Sequence, residues 1–125
     1  MKIIPYNKQY IDKSDIKKVK ESLISEMITT GPKVVLFEKY LSKTLNSKFS
    51  LVCNSGTSAL YLAFLSINLR EDDVVIMPII NFIAAYNMCK NLKARVYFAD
   101  VNSNTGQMEC SDVLNCIKRN KLKKI

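Results

Sequence analysis

Between Phe49 and Arg119 three short apolar runs alternate with three stretches of helical periodicity. That alternation constrains the chain more than any other feature, because strands separated by helices pair in parallel within one sheet. Phe49-Ser50-Leu51-Val52-Cys53 reads as the first strand, and Asn54-Ser55-Gly56 as a turn before a long apolar helix from Thr57 to Asn68. Val74-Val75-Ile76-Met77 is a β-branched run stopped by Pro78 and reads as a buried strand. A helix is predicted from about Asn81 to Lys90, a third strand from Ala94 to Ala99, and a last helix from Ser111 to about Arg119. Right-handed crossovers would place these helices on the sheet faces.

Two helices are predicted ahead of this pattern. Asp12 and Ser14 offer N-caps to a helix in which Ile16, Val19, Leu23 and Ile24 recur at helical spacing. Thr29-Thr30-Gly31-Pro32 breaks it. The second helix turns Val34, Phe37, Leu41 and Leu45 inward and Lys33, Glu38, Lys39 and Lys43 outward. The expected organisation is therefore a two-helix segment over residues 1–48 and an α/β domain over residues 49–125. Leu122-Lys123-Lys124-Ile125 reads as the approach to a fourth strand, so the α/β domain is expected to be truncated at Ile125 and the chain to be a fragment.

Composition removes several function classes. There is no histidine, so a Ser-His-Asp triad, a Cys-His pair and a His-ligated metal are excluded. The four cysteines, at 53, 89, 110 and 116, have no CxxC spacing, and no metal site is expected. The net charge of +8 is concentrated at the two ends, and 16 of the 19 basic residues are lysine. Most fall on helical surfaces, not on a dense stripe interleaved with aromatics, so nucleic acid is not the expected partner. The apolar run from Val74 to Cys89 is too short to span a bilayer and is interrupted by Pro78, Asn81 and Asn87. With no signal-peptide core near Met1, the expected setting is cytoplasmic, with reduced thiols and no membrane partner.

Chemistry concentrates in Cys53-Asn54-Ser55-Gly56-Thr57-Ser58-Ala59, where a strand's carboxyl end meets a helix N-terminus. The first turn of a helix leaves amides unpaired, and its dipole favours an anion. Gly56 lets the backbone approach a ligand, and Ser55, Thr57 and Ser58 add hydroxyls. A phosphate carrying roughly −1.5 to −2 charges would find several charge-assisted bonds there, each of about 1.5–3 kcal/mol. The competing reading is a plain N-cap, in which the hydroxyls satisfy only their own backbone. The spacing is neither that of a P-loop nor that of the dinucleotide GxGxxG. Just past the next strand stand Asn81 and Phe82. Phe82 taken alone reads as a core aromatic; next to a phosphate cradle it reads as a stacking face for a flat ring such as that of pyridoxal phosphate.

Ile4-Pro5-Tyr6, Thr30-Gly31-Pro32 with Phe37-Glu38, Asn54 to Leu60, and Pro78 with Asn81-Phe82-Ile83-Ala84 occur in order at fitting separations. Together they resemble the start of the DegT/DnrJ/EryC1/StrS aminotransferases, closest to those that make the amino-sugar precursor of pseudaminic acid. The resemblance covers essentially the whole chain but about the first third of a family member. It implies the N-terminal part of a fold-type I pyridoxal-phosphate transferase large domain, mainly parallel sheet flanked by helices. It implies pyridoxal 5′-phosphate as cofactor, a nucleotide-linked 4-keto sugar as substrate, glutamate as amino donor, and a homodimer. By position, Ser55, Gly56, Thr57 and Ser58 would hold the phosphate and Phe82 would stack on the ring. Asn81 stands where the family usually has Ser or Thr. Tyr6, Thr30 and Gly31 would lie toward the sugar or the subunit interface. The Asp that pairs with the pyridine nitrogen and the Schiff-base Lys come later in the family than residue 125, so no catalytic residue is assigned and the chain alone is expected to be inactive. Without the resemblance, the same loop suits a small phosphate- or nucleotide-binding α/β module with no catalytic activity.

Overall fold

The structure is a computed structural model that describes residues 3–5 and 7–123. The chain forms two compact units, Met1–Val52 and Cys53–Ile125.

The first unit is helical. Helix α1, Lys13–Leu23, is opened by Asp12. The Asp12 carboxylate accepts the amides of Ser14 (2.7 Å) and Asp15 (3.1 Å), and the Asp15 carboxylate accepts the Asp12 amide at 3.0 Å. This reciprocal box satisfies donors that the first turn cannot. Helix α2, Pro32–Thr44, begins with proline at its first position, where no amide is needed. The apolar stripe predicted on α1 is formed but uncovered, with Ile16, Val19 and Leu23 each about 60% exposed. On α2, Val34 and Leu41 are half-buried, whereas Phe37 and Leu45 are exposed.

The second unit carries helix α3 (Gly56–Ser66), strand β1 (Val74–Pro78), helix α4 (Ala84–Asn91), strand β2 (Arg95–Ala99) and helix α5 (Cys110–Arg119). β1 and β2 pair in parallel, with Val74 opposite Arg95 and Pro78 opposite Ala99. Val75, Met77, Val96 and Phe98 share one sheet face by strand alternation. They pack with Phe64 of α3 and with Ala85, Tyr86 and Cys89 of α4 around the buried Met77, Cys89 and Ala94. Tyr86 stacks on Phe98 with ring centroids 5.7 Å apart.

The strand predicted over Phe49–Cys53 is not formed. A strand needs a neighbouring ladder for its amides and carbonyls. Here the Val52 amide donates instead to the Glu38 carboxylate at 3.0 Å. Helix α4 starts at Ala84 and not near Asn81, because the chain leaves β1 through a turn in which the Asn81 side-chain amide donates to the Pro78 carbonyl. The approach to a fourth strand falls partly on Lys124 and Ile125, outside the described residues. No helix among the described residues is long and apolar enough to cross a membrane.

Candidate functional site

Ser55 lies in extended backbone (φ −159°, ψ 157°), and its Oγ accepts the Ser58 amide at 3.1 Å. The Ala59 amide is taken by the Ser55 carbonyl at 3.0 Å. The amides of Gly56 and Thr57 meet no acceptor among the described residues. They stand at the positive end of α3, an eleven-residue helix. A β-carbon built on Gly56 would find no atom within 4 Å, so nothing in the chain's own packing demands glycine there. Gly56 and Thr57 both border open space.

Those residues end an open depression of about 650 Å³. Gly56 and Thr57 form its polar end, while Ala59, Leu60 and Ala63 run along the same face of α3. Phe82 and Ala84 close it from the start of α4. Phe82 is 75% exposed, so it is not a core aromatic. The arrangement offers backbone donors and one threonine hydroxyl at one end and an apolar, aromatic wall beside them. No carboxylate, lysine or cysteine lines it. The depression presents amide donors, a hydroxyl and an exposed ring, but it contributes no side chain that moves a proton at neutral pH. Among the described residues no group of three His, Cys, Asp or Glu could hold a metal.

The other expected site residues lie elsewhere or are engaged. Ser55 and Ser58 do not line the depression, and their hydroxyls are bonded within the loop. Asn81 is absent from the lining and holds the turn after β1. Thr30 has a left-handed backbone (φ 52°), and the buried Gly31 caps α2; both belong to the first unit. A β-carbon at Gly31 would collide with the Met27 carbonyl, so packing requires the glycine. Tyr6 lies outside the described residues. Sequence reasoning passed over Asn54, whose Oδ1 accepts the Ser58 hydroxyl at 2.8 Å, and over Ala59, Leu60 and Ala63. The spacing of the latter from Gly56, three, four and seven residues along one helix face, was the available signal.

Residues 9–125 match the family model described as the DegT/DnrJ/EryC1/StrS aminotransferase family. A UDP-4-amino-4,6-dideoxy-N-acetyl-beta-L-altrosamine transaminase of Campylobacter jejuni is 37% identical over 101 residues, covering 81% of this chain and 27% of that protein. A GDP-perosamine synthase of Escherichia coli O157:H7 is 32% identical over 114 residues, covering 90% of this chain and 31% of that one. Among solved structures, an E. coli GDP-4-keto-6-deoxy-D-mannose-3-dehydratase with bound hydrated PLP superposes with a TM-score of 0.79 at 25% identity. That match covers 89% of this chain and 30% of the dehydratase. The chain thus spans about a third or less of the length of the relatives it matches.

Proposed function

This chain belongs to the DegT/DnrJ/EryC1/StrS aminotransferase family, and from that premise we propose that it supplies the phosphate- and ring-binding side of a pyridoxal-phosphate site in a nucleotide-sugar aminotransferase. The whole protein would transfer an amino group, with glutamate as donor, to a 4-keto nucleotide sugar for surface polysaccharide or pseudaminic acid synthesis. It would act as a homodimer, with residues 49–125 opening its cofactor-binding large domain. The observation that carries the reading is the meeting of Gly56, Thr57 and Phe82 in one depression.

The fit is chemical. The free amides of Gly56 and Thr57 and the Thr57 hydroxyl suit a phosphate, and Phe82 suits a planar ring. Pyridoxal phosphate, when bound, supplies the electron sink for amino transfer. This chain's residues bind its charged end, orient its ring and shield one side from water. Tyr6, Thr30 and Gly31 are assigned to the sugar side or the subunit partner. Because no lysine lines the depression, the 125 residues alone are expected to give no turnover.

The test is equilibrium binding of pyridoxal phosphate, followed by absorbance and fluorescence, to the chain and to its Thr57→Val and Phe82→Ala variants. The expected result is saturable binding that each substitution weakens by roughly tenfold. Equal affinity for a mononucleotide, with no response to Phe82→Ala, would instead establish the phosphate-binding module without catalysis. Amino transfer by the 125 residues alone would overturn the division of labour.

A further inference from the structure

Two paired parallel strands spend half of their main-chain groups on each other and turn the other half outward. The ladder tells which half. The Arg95 amide donates to the Asp73 carbonyl at 2.8 Å, and the Ile79 amide donates to the Ala99 carbonyl at 2.9 Å. Odd-numbered residues of β1 and β2 therefore bond across the pair. Val74 and Ile76 turn their N–H and C=O groups to the outer edge of β1, and Val96 and Phe98 turn theirs to the outer edge of β2.

The two outer edges differ. On β2 the Phe98 carbonyl accepts Arg119 Nη2 at 3.1 Å, and the buried Cys116 thiol lies 3.5 Å from the same oxygen. Both side chains come from α5, which thus sets a guanidinium beside the edge. A strand added there would have to displace that bond and desolvate the charge. On β1 the Pro78 carbonyl is taken by the Asn81 side-chain amide, but the outward groups of Val74 and Ile76 meet no partner among the described residues. No residue of Val74–Pro78 is charged, so like charges do not oppose the pairing of two such edges. An antiparallel copy of the same stretch is complementary to it, since each outward residue presents one donor and one acceptor.

We infer that Arg119 is an edge guard that closes β2 to strand addition, so that this sheet extends through β1 alone, and that for these 125 residues the added strand is β1 of a second copy, antiparallel across a two-fold axis. Two paired β1 edges give a four-stranded sheet with a guarded β2 at either end, so the assembly stops at two chains. None of the residues involved lines the depression, and the inference stands apart from the cofactor reading.

Sedimentation equilibrium and amide hydrogen exchange on the 125-residue chain read the pairing. The parent should reach a dimer and no further, with exchange at the Ile76 amide slowed about tenfold or more as concentration rises and exchange at Val96 and Phe98 unchanged. Ile76→Pro removes an outward N–H and leaves the β1–β2 ladder whole, so it should stay monomeric. Retained protection of the Tyr97 amide, which faces β1, checks that its sheet still forms. Val74→Pro, at the first residue of the strand, where proline is tolerated, gives the same reading should Ile76→Pro not fold. Arg119→Ala should grow past the dimer and slow exchange at Val96 as well. Lys118→Ala removes the same charge from a neighbour that makes no bond to the edge, and it should keep the dimer ceiling. A monomeric parent, growth of the parent past two chains, or association that protects Val96 as strongly as Ile76 overturns the inference. So does an Arg119→Ala chain that behaves like Lys118→Ala.

Discussion

Four helices end on a residue with a left-handed backbone, and none of the four is glycine. Asn46, Asn68, Lys93 and Lys121 have φ between 49° and 61°. After α4 the Lys93 amide donates to the Lys90 carbonyl and the Ala94 amide to the Cys89 carbonyl, each at 3.0 Å. That paired closure normally favours glycine, because a side chain in this conformation costs about 1–2 kcal/mol. Asparagine tolerates the conformation; lysine gains nothing from it. Lys93→Gly is therefore expected to stabilise the end of α4 by about 1 kcal/mol, read as stronger hydrogen-exchange protection of the α4 amides. The 3.7 Å contact from Lys93 to Glu71, both well exposed, is too weak to offset this. Asn68→Gly should gain less. The candidate site was legible at the same scale only in part. Gly56, Thr57 and Phe82 stood out by residue type, but which hydroxyls were already spent depended on distances that no spacing encodes.

At the scale of elements, helix limits followed local chemistry closely, since caps and breakers act within a few residues. The capping box of α1 has a pH signature. The amides of Asp15 and Ser14 hold the Asp12 carboxyl below its ordinary value of 3.8. A lowered value in the folded state means the contribution is fully present above pH 3.8 and is lost as pH falls through the lowered value. Helicity reported by α1 should accordingly fade in acid, and Asp12→Ala should lower it at neutral pH while removing that acid dependence. Circular dichroism on the pair of chains measures both. The strand expected over Phe49–Cys53 is the counter-example. Its residue types suit a strand, but its amides need a ladder that local sequence does not supply, and Val52 bonds to Glu38 instead.

Across the whole molecule, apolar surface is left uncovered. Helix α3 is apolar on every side, yet no residue of it is fully buried. The stripes of α1 and α2 and the side chains of Ile79, Ile80 and Ile83 are exposed as well. Exposure on this scale marks surface that other protein normally covers. The isolated 125 residues are expected to bind an apolar dye such as ANS and to self-associate as concentration rises, followed by light scattering. A dye-silent monomer with a sharp melt would refute this. The helices, the two paired strands and the amide-rich start of α3 were legible in the residues, because caps, proline, β-branched runs and periodicity act over short distances. That Phe82 shares a depression with Gly56 and Thr57, that the stretch before Asn54 forms no strand, and that Asn54 engages Ser58 emerged with packing. Those outcomes depend on where separately formed pieces come to rest and which partners their polar groups find.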